Sequence, residues 1–131
     1  MALPNGGGGY QVTDGNIGEA TLFVQGAPTA LTAAATLTAA QLSAGLFTYD
    51  GAAVNLTLPT VALLEASVSS AQKVNVAFEF GIINIGSTNA ATVVVGTGWT
   101  IVGAAAVAAA TSARFLARKT GDGAWTAYRV A

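Results

Sequence analysis

At 131 residues the chain has the length of one domain, enough to bury roughly two-thirds of the surface its unfolded form exposes. With no cysteine and no histidine it forms no disulfide, no thiolate metal site and no imidazole-based catalytic pair. Charged residues make up 8% and the net charge is −1, against about 25% charged in an ordinary soluble domain, so repulsion between copies is weak and contact with other protein is the expected condition.

Residues 1–18 contain Pro4, the run Gly6, Gly7, Gly8 and Gly9, then Tyr10 and a turn at Asp14-Gly15-Asn16. Consecutive glycines lose much backbone entropy on ordering, so this stretch is expected to be a flexible arm, mobile or docked on a partner, with residues 19–131 as a single folded domain. No positive segment leads into an apolar core here, so no secretory signal is expected.

Residues 19–25 alternate Ala20, Leu22 and Val24 against Thr21 and Phe23, which predicts a short strand. Residues 30–37 favour a second one weakly. Thr38-Ala39-Ala40-Gln41 then has capping-box spacing and Gly45 is placed to close the turn, predicting one or two helical turns. Residues 46–49 read as a strand ending at Asp50-Gly51, a dipeptide suited to a tight hairpin. The return through residues 54–58 puts Val54, Leu56 and Leu58 on one face, and Pro59 stops it. Thr60 can cap a short helix over residues 60–70, with Val61, Leu64 and Val68 on one side, carrying the chain from one sheet to the other.

Residues 73–85 hold the longest apolar alternation, with Val74, Val76, Phe78, Phe80 and Ile82 separated by Asn75, Ala77, Glu79 and Gly81. A period of two predicts the central strand. After Gly86-Ser87-Thr88-Asn89 come a strand over residues 91–95, a hairpin turn at Gly96-Thr97-Gly98 and a strand over residues 99–102. The alanine-rich residues 103–110 are expected to be a loop or short turn, because two turns of good helix former are too few to stand alone. Residues 111–119 alternate Phe115 and Ala117 with Arg114, Leu116 and Arg118, leaving one face wet or facing a partner. Gly121-Asp122-Gly123 makes the last hairpin, and residues 124–130 close the fold.

About eight or nine short strands without regular βα alternation predict an all-β, two-layer antiparallel sandwich, jelly-roll-like, with one or two short helical turns in connections. A Greek-key or immunoglobulin-like sandwich is the alternative. Residues 80–113 carry no charge, but the truly apolar part, residues 99–110, is far shorter than the roughly 20 residues a membrane span needs. Arg114, Arg118, Lys119 and Arg129 are too few for a phosphate track, so no nucleic acid is expected.

Catalysis finds few candidates. Asp14, Asp50 and Asp122 sit at glycine-flanked turns, Lys73 and Lys119 lie beside strands, and Glu79 is expected on a solvated face. No enzymatic role, metal or cofactor is expected. Trp99, Trp125 and Tyr128 allow a carbohydrate-stacking platform, with core packing the more economical reading.

A resemblance carries the reading further. Residues 36–42 (Thr-Leu-Thr-Ala-Ala-Gln-Leu) with Gly45, the segment Asn55-Leu56-Thr57-Leu58-Pro59-Thr60, the strand ending Ile82-Ile83-Asn84-Ile85-Gly86, and Ala90-Ala91-Thr92-Val93 leading to Gly96-Thr97-Gly98-Trp99-Thr100-Ile101-Val102-Gly103 together resemble small tailed-phage capsid cement, or decoration, proteins. The similarity spans residues 31–128 and is a pattern of strands and turns. It implies a β-sandwich or jelly-roll subunit, dimeric or trimeric, made in the host cytoplasm and placed on the outside of the virion head, where it bridges neighbouring major capsid proteins after the shell expands. Fibre and spike modules of phages share the pattern. Partner contacts are expected from Gly6, Gly7, Gly8, Gly9 and Tyr10 of the arm and from Arg114 and Arg118.

Overall fold

The computed structural model describes residues 22–68 and 73–131. The arm expectations, including Tyr10 and Gly6 to Gly9, lie outside the described residues, as do the first three positions of the strand expected at residues 19–25.

The fold is mostly β. In chain order it runs β1 (Thr29–Leu31), β2 (Ala35–Thr36), α1 (Ala39–Ala44), β3 (Leu46–Tyr49), β4 (Val54–Thr57), α2 (Val61–Ser67), β5 (Ala77–Asn84), β6 (Ala91–Val94), β7 (Trp99–Val102), β8 (Ala106–Val107), β9 (Ser112–Gly121) and β10 (Ala124–Arg129). A six-stranded sheet has the order β1-β3-β5-β9-β10-β7 and a four-stranded sheet the order β2-β4-β6-β8.

Up to β6 the chain alternates between the sheets, so odd strands gather in one and even strands in the other. β1, β3 and β5 lie parallel, with Leu31 beside Tyr49 and Tyr49 beside Asn84. β2, β4 and β6 are parallel too, with Ala35 beside Leu56 and Leu56 beside Val93. Three successive passes therefore each give one strand to each sheet, which is a short parallel coil. Parallel neighbours cannot be joined by a tight turn, and the visit to the opposite sheet supplies the crossover. α1 and α2 hold the same place in the first two passes, returning the chain to the six-stranded sheet; Gly96-Thr97-Gly98 does so in the third.

This corrects the antiparallel layering expected above. Both sheets are mixed: β9 pairs antiparallel with β5 and β10, and β8 with β6, while β7 lies parallel to β10. The two expected hairpins at Asp50-Gly51 and Gly96-Thr97-Gly98 are corners between sheets. Their glycines answer a different need. A Cβ on Gly51 would stand 2.3 Å from the Thr32 carbonyl oxygen, and one on Gly96 2.6 Å from that of Leu58, so each lets its corner stack on the corner of the preceding pass. The hairpin at residues 121–123 does form, between β9 and β10.

The two sheets enclose one core. Phe47, Tyr49, Phe80, Ile82, Phe115 and Trp125 fill it from the larger sheet, Leu56, Val93 and Val107 from the smaller, and Leu42 and Leu64 from the helices. Phe80 and Phe115, paired across β5 and β9, stack with ring centres 5.2 Å apart. The central strand has the expected alternation but begins at Ala77. Asn75 takes a left-handed conformation (φ 76°) and leaves Val74 half exposed, so residues 73–76 are a turn. Asn84 ends the inward face as a buried amide: its Nδ2 donates to the carbonyls of Asn89 (2.8 Å) and Val107 (3.0 Å), and its Oδ1 accepts from the Gly86 amide. The second carbonyl belongs to β8, which forms inside the alanine-rich stretch expected to be a loop or short turn, because pairing with Ala91 and Thr92 of β6 outweighs the weak local preference.

Candidate interaction surface

Lys119, the last inward-facing residue of β9, is 5% exposed, and its Nζ lies 3.0 Å from Glu65 Oε1 of α2. Trp125 Nε1 donates to the same carboxylate oxygen at 3.0 Å. The lysine contact and the indole hydrogen bond hold the Glu65 carboxyl below the ordinary range, against the smaller opposing effect of its partial burial. Lys119, expected in unremarkable company beside a strand, thus fastens α2 to the terminal hairpin. Trp99 donates from Nε1 to the Pro59 carbonyl (2.8 Å), and both indoles face the core, so they present no platform to a glycan. Tyr128 is covered by the Arg118 guanidinium, 5.6 Å above its ring. Among the described residues no three His, Cys, Asp or Glu side chains converge on a metal-sized site.

Two of the concave surfaces among the described residues bear on contact with other protein. The first is an apolar groove of about 780 Å³ where the strands of the smaller sheet run out. Thr36-Leu37-Thr38 of the first pass, Thr57-Leu58-Pro59-Thr60 of the second and Val95-Gly96-Thr97 of the third line it in order, and Leu63 of α2, 61% exposed, stands at its side. The coil explains its shape, since each pass leaves the sheet at the same place and stacks a threonine-rich exit on the last.

The second lies on the outer face of the larger sheet. Since Phe80 and Ile82 point inward, Glu79, Gly81 and Ile83 point outward, joined by Leu46 of β3 and Arg114 of β9 through the register. Gly81 leaves a trough of about 470 Å³, lined also by Gly45, Gln25 and Phe23. The segment at its lip was expected to be a strand. Instead residues 22–25 have no sheet partner among the described residues, and Leu22, Phe23 and Val24 are 87%, 85% and 99% exposed. Gln25 ties the segment to the end of α1 through Nε2 to the Ala44 carbonyl (2.8 Å).

Of the basic residues singled out from the sequence, Arg114 stands on this outer face, its Nε 3.6 Å from Glu79 Oε2 with both side chains more than half exposed. Glu79 is therefore solvated, as expected, with Arg114 beside it. Arg118 is engaged within the chain, donating from Nη1 to Asn75 Oδ1 (2.8 Å) and from Nη2 to the Tyr128 hydroxyl (2.7 Å). The groove and the exposed apolar segment were not singled out from the sequence; the signal for the segment was three large apolar residues beside a glycine-rich arm.

Protein-family models, curated proteins and solved structures were all compared with the chain, and none matches it. Among the described residues no helix is long and apolar enough to cross a membrane.

Proposed function

We propose that the chain is a structural virion protein that binds the outside of a phage head and cements neighbouring major capsid proteins, stabilising the expanded shell. The observation that carries this reading is the bare apolar segment: three successive side chains, each at least 85% exposed, on a protein only 8% charged. Burying such side chains is worth about 1.5–3 kcal/mol each, so the free chain is an incomplete object and its assembled form covers them. The groove with Leu63 at its side gives a second apolar contact, and two contacts on one subunit allow it to bridge two neighbours. The resemblance of the strand-and-turn pattern to cement proteins supplies the kind of neighbour, and we take the two facing sheets as a sandwich-like wall comparable to their jelly rolls. Self-association into a homo-oligomer belongs to the same reading.

The mechanism is mass action. A ligand that binds only the expanded lattice stabilises that lattice in proportion to its occupancy, and a shell repeats a modest interface many times. Co-sedimentation with expanded, undecorated heads and with unexpanded heads tests this. Saturable binding to expanded heads alone is expected; binding to neither contradicts it.

A fibre or spike module is the second reading, favoured by the coil itself. Among the described residues β1 and β2 have no strand partner on their outer edges, so a further coil could stack there. Absence from heads together with presence in purified tails would select it.

A further inference from the structure

The outer trough contains a residue that nothing among the described residues requires. Gly81 lies mid-strand in β5, where glycine weakens a sheet. Its φ is not in the left-handed region, and a Cβ built there would meet only the Ala113 carbonyl oxygen, at an ordinary 3.7 Å. With no bulge in the register on either side of it, a strand glycine of this kind fits a place that another chain approaches closely. The trough is flanked by Leu46 and by Ile83, which is 40% exposed, and its charges are one acid and one base, Glu79 and Arg114. Phe23 stands at its lip, 85% exposed, without filling it.

We infer that this face is a two-fold contact with a second copy of the chain, in which Phe23 of each copy enters the trough over Gly81 of the other. The inference deepens the self-association part of the proposed function and rests on that part alone. Two-fold symmetry makes one patch meet itself, so any group beside the axis on one copy is beside it on the other. Phe23 and its trough are adjacent within one chain; apposing two such faces brings each Phe23 to the neighbouring trough. The same operation places Glu79 of one copy by Arg114 of the other twice over, so the face is self-complementary in charge, and the room at Gly81 lets the aromatic ring reach the sheet backbone.

Sedimentation velocity of the full chain over a range of concentrations tests this, with variants at the trough. The wild type is expected to form a dimer. Phe23→Asp and Gly81→Leu are both expected to be monomers with unchanged circular dichroism, because Phe23 is exposed and, among the described residues, a Cβ at Gly81 meets only the Ala113 carbonyl oxygen at an ordinary distance. Glu79→Arg and Arg114→Glu each oppose like charges across the axis and are expected to weaken the dimer at least about tenfold. Mixing those two variants restores opposite charges only between copies, so the mixture is expected to pair again. A wild type that is monomeric throughout or forms a trimer, undiminished pairing in Phe23→Asp and Gly81→Leu, or a mixture that does not recover would each overturn the inference. Head binding is read separately: a chain that binds heads without pairing overturns this inference alone, and one that pairs but binds no head overturns the cement reading alone.

Discussion

α1 and α2 occupy the same position in successive passes of the coil, yet they are held in opposite ways. α1 is closed by its own sequence. Thr38 Oγ1 accepts from the Gln41 amide (3.1 Å), Gln41 Oε1 accepts from the Thr38 amide (3.0 Å), and left-handed Gly45 donates its amide to the Gln41 carbonyl (3.1 Å). α2 has half of that. Thr60 Oγ1 accepts from the Leu63 amide at 3.3 Å, no side chain returns the bond, and the helix runs out into extended Val68. Its anchor is Glu65, tied to Lys119 and to Trp125, the latter 60 positions along the chain. Neither helix is long enough to persist alone. Short helices in equivalent places can thus be secured by local chemistry or by a distant partner, and the two kinds fail differently.

The largest expected effect is on the distant anchor. Glu65→Ala takes the carboxylate from a lysine whose side chain is 6% exposed and from the Trp125 indole. Breaking a buried pair costs about 3–5 kcal/mol; because Glu65 itself is a quarter exposed, a loss of about 3 kcal/mol is expected in urea unfolding. The same anchor titrates. The folded-state pKa of Glu65 lies below the ordinary value of 4.5, so its contribution is fully present above about pH 4.5 and is lost as pH falls through the lower folded value. Stability measured from pH 6 downward should show this acid loss, and Glu65→Gln should reduce it; an unchanged slope would remove Glu65 as the anchor.

The local anchor gives smaller effects. Gly45→Ala forces a side chain into φ +83° with its Cβ 3.0 Å from the Glu79 carbonyl oxygen, and a loss of about 1–2 kcal/mol is expected from the left-handed conformation. Smaller again, Thr38→Ala should cost about 1 kcal/mol and Thr60→Ala about 0.5 kcal/mol, since only Thr38 belongs to a reciprocal box. Equal losses at the two threonines would erase the distinction between the helices.

The same distinction decides what could be read from the chain. α1, the faces of β4 and β5, the stop at Pro59 and the Thr60 cap of α2 were legible, because each depends on neighbours a few residues away. The winding was not. A glycine that permits a tight hairpin and one that lets two corners stack leave the same mark, and Gly51 and Gly96 are of the second kind. A trace of the repeat was present: Leu37-Thr38 and Leu58-Pro59-Thr60 both lead from a sheet strand into a threonine cap, with Pro59 inserted so that the spacing differs by one. Lys119 shows a signal that local reading can miss. The alternation of Ala113, Phe115 and Ala117 already places it inward, but its carboxylate partner lies in α2, far off in sequence. On the candidate surface Arg114 was legible from its strand parity. The trough was not, because it depends on three strands coming side by side and on Phe23 being left uncovered.

Shell stability tests the central claim most directly. Calorimetry of expanded, undecorated heads with and without saturating protein should show the disruption temperature raised by several degrees when the protein is bound, and unexpanded heads should show no change. Saturated heads that melt at the same temperature as bare ones would contradict a cementing role, even if the protein is found on their surface.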